Sequence, residues 1–162
     1  MIDSKEIKKL NADLRKIGKK LLKKTQEIPD SVTRELVIGA NDIRNTIILS
    51  MRNTPKTGIS YRRGKRGKAH IASSPGNPPA IDYGELVRSI MYDVDPGRLE
   101  VEVGSEAGAP YAIFLEEGAE YKDGHVMEAR PWLAPAVETN EKDIVKRVGD
   151  AAFEVIQRGF KT

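Results

Sequence analysis

The chain has 162 residues, of which 39% are apolar and 31% charged, and a net charge of +3; that is one domain's worth of chain, with apolar material for a modest core. Cysteine is absent, which excludes a disulfide framework and thiolate metal sites. No run of about 18 apolar residues occurs, so no membrane-spanning helix is expected, and the opening "MIDSKEIKKL" lacks the apolar stretch of a secretory signal.

The small net charge conceals an uneven layout. Residues 1–24 hold nine Lys/Arg against three Asp/Glu, and residues 62–68 hold five Lys/Arg and no acid. The remaining chain is acidic. Two basic segments on an acidic body point to contact with a polyanion, or to charge-complementary contact between copies of the chain.

In chain order, Ile7, Leu10, Leu14, Ile17 and Leu21 recur in steps of three and four, which predicts a helix over 4–26 with a narrow apolar stripe. This basic helix, within residues 1–28, is expected to be peripheral to the core. The tripeptide "IPD" at 28–30 reads as a break, with Asp30 or Ser31 capping a second helix. That helix, over about 31–52, carries the broader stripe Val32, Leu36, Ala40, Ile43, Ile47 and Met51 and is expected in the core. Pro55 and Gly58 discourage its continuation.

Residues 54–84 are rich in Pro and Gly and poor in large apolar side chains. They read as one long, mobile loop, because so little burial cannot offset the entropy of ordering it. Loops of this length are commonly functional. A short helix is expected at "DYGELVRSI". A hairpin follows, with Ile90, Tyr92 and Val94 facing the same way as Leu99, Val101 and Val103 across a turn at "DPG". "APYAIFLEEG" suits a short helix closed by Gly118, and "GHVMEAR" a further strand. Pro131 and Pro135 lead into a long helix to about residue 159, packed through Val137, Ile144, Val148, Ala152 and Val155. The order predicts a single α+β domain over 1–162. Its expected form is a small antiparallel sheet of three or four strands, packed by two or three long helices, with the long Gly/Pro-rich loop at its centre.

Chemistry-bearing patterns are sparse. His125 has Asp123 and Glu128 nearby, a weak metal signal because strong motifs fix two or more ligands on one element. Glu116 and Glu117 are adjacent and diverge by about 100° on a helix, so they make no facing acid–base pair. Ser73 and Ser74 lack an activating motif. "GKRGK" lacks the glycine and Lys-Ser/Thr spacing of a phosphate loop. The expectation is a non-enzyme without metal or cofactor. The credible contact residues are Arg62, Arg63, Lys65, Arg66 and Lys68, as a site for a polyanion or for another subunit. Tyr61 beside them is one aromatic and not a stacking platform.

The succession "TPKTG", "HIASSPGNPPAIDYGELVRSI", "VGSEAGAPYAIFLEEG" and "ARPWLAPAVE" resembles the tail-component family of long-tailed bacteriophages, the neck and tail-completion proteins at the head–tail junction. The likeness covers roughly 54–140. It departs from the family at Asp82-Tyr83-Gly84, where a Thr-Gly pair is usual after the acidic residue, and in the basic insertion "YRRGKRGK". The resemblance implies a structural virion protein of the neck, in a virion or prophage, that assembles in the host bacterial cytoplasm. It also implies a homo-oligomeric ring, taken as a hexamer, whose partners are itself, the head-closure or connector proteins and the tail tube or tail terminator. Non-specific contact with phage DNA is compatible and a membrane is not involved. The residues also allow a nucleic-acid-binding accessory protein, using helix 5–24 and loop 62–68 on a small α+β scaffold.

Overall fold

A computed structural model describes the backbone of residues 4–62, 67–106 and 109–160, and the side chains of these except at 4–14, 16–26 and 159–160. Helices and short strands mix in an α+β arrangement. The elements are α1 (Ser4–Asn53), β1 (Ser60–Arg62), β2 (Ala69–Ile71), α2 (Glu85–Ser89), β3 (Ile90–Asp95), β4 (Glu100–Ser105), α3 (Ala112–Glu117), β5 (Ala119–Glu120), β6 (Val126–Met127) and α4 (Ala134–Phe160). Among the described residues, no helix is long and apolar enough to cross a membrane.

Where two helices were expected there is one, with Pro29 inside it. Proline removes a single N–H, whose acceptor would be the Thr25 carbonyl, at a cost of about 3 kcal/mol. The flanking Gln26, Glu27, Arg34, Glu35 and Leu36 are good helix formers, so the ladder resumes on both sides. Asp30 and Ser31 therefore lie in mid-helix and cap nothing. The stripe expected at Ile7, Leu10, Leu14, Ile17 and Leu21 lies outside the described side chains.

The strands also pair differently from the expected sheet. Those described form three two-stranded ladders, β1 with β2, β3 with β4, and β5 with β6, in place of one sheet of three or four strands. Two of the ladders are only two or three residues long per strand. The stretch 54–84, expected as one loop, contains the β1–β2 ladder.

The chain divides into two compact units. One comprises Met1–Val37, Val94–Glu100 and Asp143–Thr162. Among its described residues, Val32 and Val155 are the buried apolar ones, with Ile144, Val148 and Ala152 half-buried. Arg147 lies 3.7 Å from Glu35, joining the helical segments. On the exposed face, Lys146 is 2.9 Å from Asp150. That hydrogen bond, with the charge of the carboxylate, holds the lysine above its usual pKa. The tip of the β3–β4 hairpin belongs here as well. Asp95 Oδ1 accepts the N–H groups of Gly97 (2.8 Å) and Arg98 (3.1 Å), the side-chain mimic of a turn that Asp favours. The chain leaves this turn through Leu99 at φ 55°. Leu99 was expected on the inward face of the strand; it stands in the turn, 37% exposed, because closing the turn requires a left-handed residue at that position.

The second unit comprises Ile38–Asp93 and Val101–Lys142. Ala40, Ile43, Ile47 and Met51 of α1 are buried, at the helical spacing predicted. Opposite them lie Leu86, Ile90, Ala109, Ala112, Trp132 and Ala136, also buried. Polar contacts fix the register of these pieces. Arg44 Nε donates to the Ile90 carbonyl (3.1 Å), Asn41 to the Tyr92 hydroxyl (3.0 Å), and Asn140 to Thr46 (3.0 Å). Val137, expected to pack, is 37% exposed, because the buried side of the first turn of α4 is supplied by Ala136; in α3, Ala112 is buried and Phe114 is 53% exposed.

Leu99→Gly is expected to stabilise the protein by about 1 kcal/mol, since a left-handed conformation costs a β-carbon-bearing residue about that much. A rise in Tm of about 2–4 °C in a thermal melt is the corresponding readout.

Candidate functional site

The β1–β2 ladder is the first element of the candidate site. Its register pairs Ser60 with Ile71, Tyr61 with His70 and Arg62 with Ala69. The basic run therefore lies in the chain between two paired strands, with Arg62 at the end of one and Lys68 just before the other; the paired strands are called the arm below. Arg62 and Lys68 are exposed, and neither has an ion pair among the described residues. Arg63, Lys65 and Arg66 lie outside the described residues. All residues of the ladder are exposed except His70.

The base of the arm is closed by backbone. Gly58 N donates to the Ala72 carbonyl (2.8 Å) and Ala72 N to the Ile59 carbonyl (3.1 Å). A β-carbon at residue 58 would collide with the Ser73 carbonyl oxygen, so only glycine permits this approach. The chain beyond the arm is held by the segment before α4. Gly76 N donates to the Ala129 carbonyl (2.9 Å), and Arg130 Nε donates to the Ser73 carbonyl (3.2 Å). Sequence alone had marked these glycines and prolines as signs of disorder. At Gly58 the residue instead permits close backbone packing.

Between the arm and the 79–87 segment is a cleft of about 290 Å³. Ile59, Tyr61, Pro79, Leu86 and Leu115 supply apolar wall, and His70, Asp82 and Arg130 supply polar groups. His70 Nδ1 is 3.4 Å from Asp82 Oδ1, and His70 is 8% exposed. Its ring meets the Tyr61 ring edge-on at 5.3 Å. Asp82 precedes α2 by three residues and does not cap it. It faces His70 instead, and the cap position is held by Gly84 at φ 78° with no side-chain bond. Ser73 is fully buried and its Oγ has no hydrogen-bond partner. It makes no hydrogen bond with His70, so the serine and the His–Asp pair do not form a nucleophile–base relay.

A second concavity, of about 370 Å³, lies against β3 and β4. Met91, Asp93, Glu102 and Glu106 line it and are exposed. None of the three carboxylates has a salt bridge among the described residues. Sequence reading had noted an acidic body without locating a groove in it; the signal available was the alternation of Asp93 and Glu102 with apolar neighbours on adjacent strands.

Glu116, dismissed as half of a catalytic pair, has a structural role. Its Oε2 accepts the N–H groups of Trp132 (2.6 Å) and Leu133 (2.9 Å), and its Oε1 accepts that of Ala134 (2.9 Å). These donors open α4, which has no acidic residue of its own in its first turn. A carboxylate here satisfies orphan N–H groups and meets the positive end of the helix dipole. Trp132 Nε1 donates to the Ala112 carbonyl (3.1 Å), fixing the same junction from the other side. At His125, the backbone N–H donates to Asp123 Oδ1 (3.0 Å) inside the β5–β6 turn. No group of three or more potential ligands that could hold a metal occurs among the described residues.

Comparison with protein-family models, with curated proteins and with solved structures finds no match for this chain.

Glu116→Ala is expected to cost about 3 kcal/mol, because charge-assisted bonds to buried or half-buried N–H groups are the strong ones. Glu116→Gln retains acceptor capacity and should cost less, and urea denaturation of both variants measures the order. Ser73→Ala should be neutral or stabilise by about 1 kcal/mol, since it removes a buried hydroxyl that has no partner; a fall in the denaturation midpoint would show that the hydroxyl is satisfied.

Proposed function

We propose that this protein is a structural component of the neck of a long-tailed bacteriophage, completing or joining the tail at the head–tail interface as a homo-oligomeric ring. The observation that carries the reading is the β1–β2 arm. A two-stranded ladder of three residues per strand is marginal in water by itself. This one also leaves Ile59 (75%), Ile71 (43%) and Tyr61 (42%) exposed, next to the basic run. Exposed apolar side chains on and beside a short ladder suit an element that a neighbouring molecule covers. The order of motifs over 54–140 supports the same reading through its resemblance to neck and tail-completion proteins.

In this reading the ring is six-fold, and its faces meet the connector or head-closure protein on one side and the tail tube or terminator on the other. The open edges of the short ladders pair between copies, giving the larger antiparallel sheet that the strand patterning predicts. The protein resides in the virion and works without catalysis, metal or cofactor.

Sedimentation velocity and native mass spectrometry across a wide concentration range test the reading. One closed oligomer, a hexamer, is expected. Neutralising Arg62, Arg63, Lys65, Arg66 and Lys68 to Gln should shift it toward monomer with unchanged circular dichroism. A protein that stays monomeric throughout, yet binds duplex DNA with a salt dependence that the five-fold neutralised variant loses, would overturn the ring and establish the nucleic-acid-binding alternative.

A further inference from the structure

We infer that the outer face of α4 packs against the same face of α4 in a second copy, the two helices running antiparallel and meeting at Gly149. The helix carries two apolar faces. Ile144, Val148, Ala152 and Val155 are half-buried or buried within the first unit. Val145, Gly149, Phe153 and Ile156 follow one another in steps of four, four and three residues, which at about 100° per residue places them in one stripe on another side of the helix. The three side chains of that stripe are exposed, Val145 at 65%, Phe153 at 58% and Ile156 at 44%. Single apolar residues on a surface are ordinary, but three at helical spacing make a continuous face. Gly149 sits within it. Glycine is, after proline, the poorest helix former, and a β-carbon at this position meets nothing within 4 Å. Packing inside the chain therefore does not require it. It suits a second helix passing directly over it, because without a side chain the two backbones approach closely.

Charge identifies the occupant as a second copy and sets its direction. Beside the stripe, Lys146 lies 2.9 Å from Asp150, both exposed. In an antiparallel pair centred on Gly149, Val145 lies level with Phe153 of the second copy. On one flank Lys146 then comes within about 3 Å, along the axis, of Asp150 of the second copy. The two ion pairs join into a cluster of four alternating charges. A parallel pair sets every residue level with itself. Glu138 and Lys142, both exposed and close to the midline of the stripe, would each meet its own like charge, which an interface penalises. Antiparallel pairing separates the two copies of Lys142 by about 21 Å along the axis. A lipid surface selects a helix with a basic polar face, whereas this stripe is flanked by charges of both signs. The face is its own complement, so the contact is two-fold and closes at two copies. It is separate from the contact that closes a ring, and it doubles the mass of whatever the rest of the surface builds.

The test uses introduced thiols, which report without background because the chain has no cysteine. Val145→Cys and Phe153→Cys are made separately in the full chain, both at exposed positions, with circular dichroism as the check on folding. A short thiol-to-thiol cross-linker is added to each variant alone and to an equal mixture, and links are identified by peptide mass. The antiparallel pair keeps each of these residues about 12 Å along the axis from its own copy in the partner and brings 145 level with 153. The mixture is therefore expected to form the 145–153 link at least about tenfold faster than either variant links to itself. Sedimentation velocity of the unmodified chain should show its mass doubling as concentration rises. Phe153→Glu, which sets a charge in the contact, should abolish that doubling.

If each thiol variant links to itself faster than the mixture links, the helices pair in parallel and the arrangement is overturned. If the mixture links no faster than a Lys122→Cys control, a second copy does not cover this face and the inference falls. It falls equally if the mass never doubles, or if Phe153→Glu doubles as the unmodified chain does. None of these results touches the ring reading, which is judged by whether the lighter species is itself a closed oligomer.

Discussion

A single carboxylate holds the second unit in its conformation. Glu116, at the end of a six-residue helix, accepts three consecutive backbone N–H groups at the start of a 27-residue one. The first N–H groups of any helix have no partner within it, and α4 supplies no capping acid from its own first turn. Glu116 answers that need from sixteen to eighteen residues earlier in the chain, and so ties the first turn of α4 to the end of α3. The neighbouring contacts follow from this junction. Trp132 is pressed against Ala112, and Arg130 is delivered to the Ser73 carbonyl. Through that last contact the chain leaving the arm is held in place.

The arm is thus an exposed element on a determined base. Its own ladder is short and solvated, and only His70 among its residues is buried. What surrounds its root is close-packed, with Gly58 forced by the approach of Ser73 and His70 set between Tyr61 and Asp82. The acidic groove on the β3–β4 ladder is likewise built on paired strands.

Several errors of sequence reading have one source. Pro29 was taken as a helix break because proline is costly in mid-helix, yet good helix formers on both sides sustain the ladder around one missing bond. The Gly/Pro-rich stretch 54–84 was taken as loop because it buries few large side chains. Its order comes from backbone hydrogen bonds, which composition does not display. Leu99 was assigned to a strand by alternation, while the Asp95 turn imposes a left-handed residue there. Periodic apolar positions were read more reliably. Ala40, Ile43, Ile47 and Met51 are buried as their spacing requires, and the helices after Gly84 and Pro131 and the hairpin around "DPG" occur where local signals put them.

The sequence by itself determined the α+β mixture, the buried stripe of the second half of α1, the hairpin and the long final helix, because each depends on a period or a turn signal within a dozen residues. It also determined the unequal distribution of charge. Only the tertiary structure decided that the strands flanking the basic run pair with each other, that Glu116 caps a helix, that Asp82 faces a buried histidine, and that three carboxylates share a groove. Those facts depend on which distant segments meet. Contacts between residues far apart in the chain are chosen by the packing of the whole unit, and leave no local pattern from which they can be read.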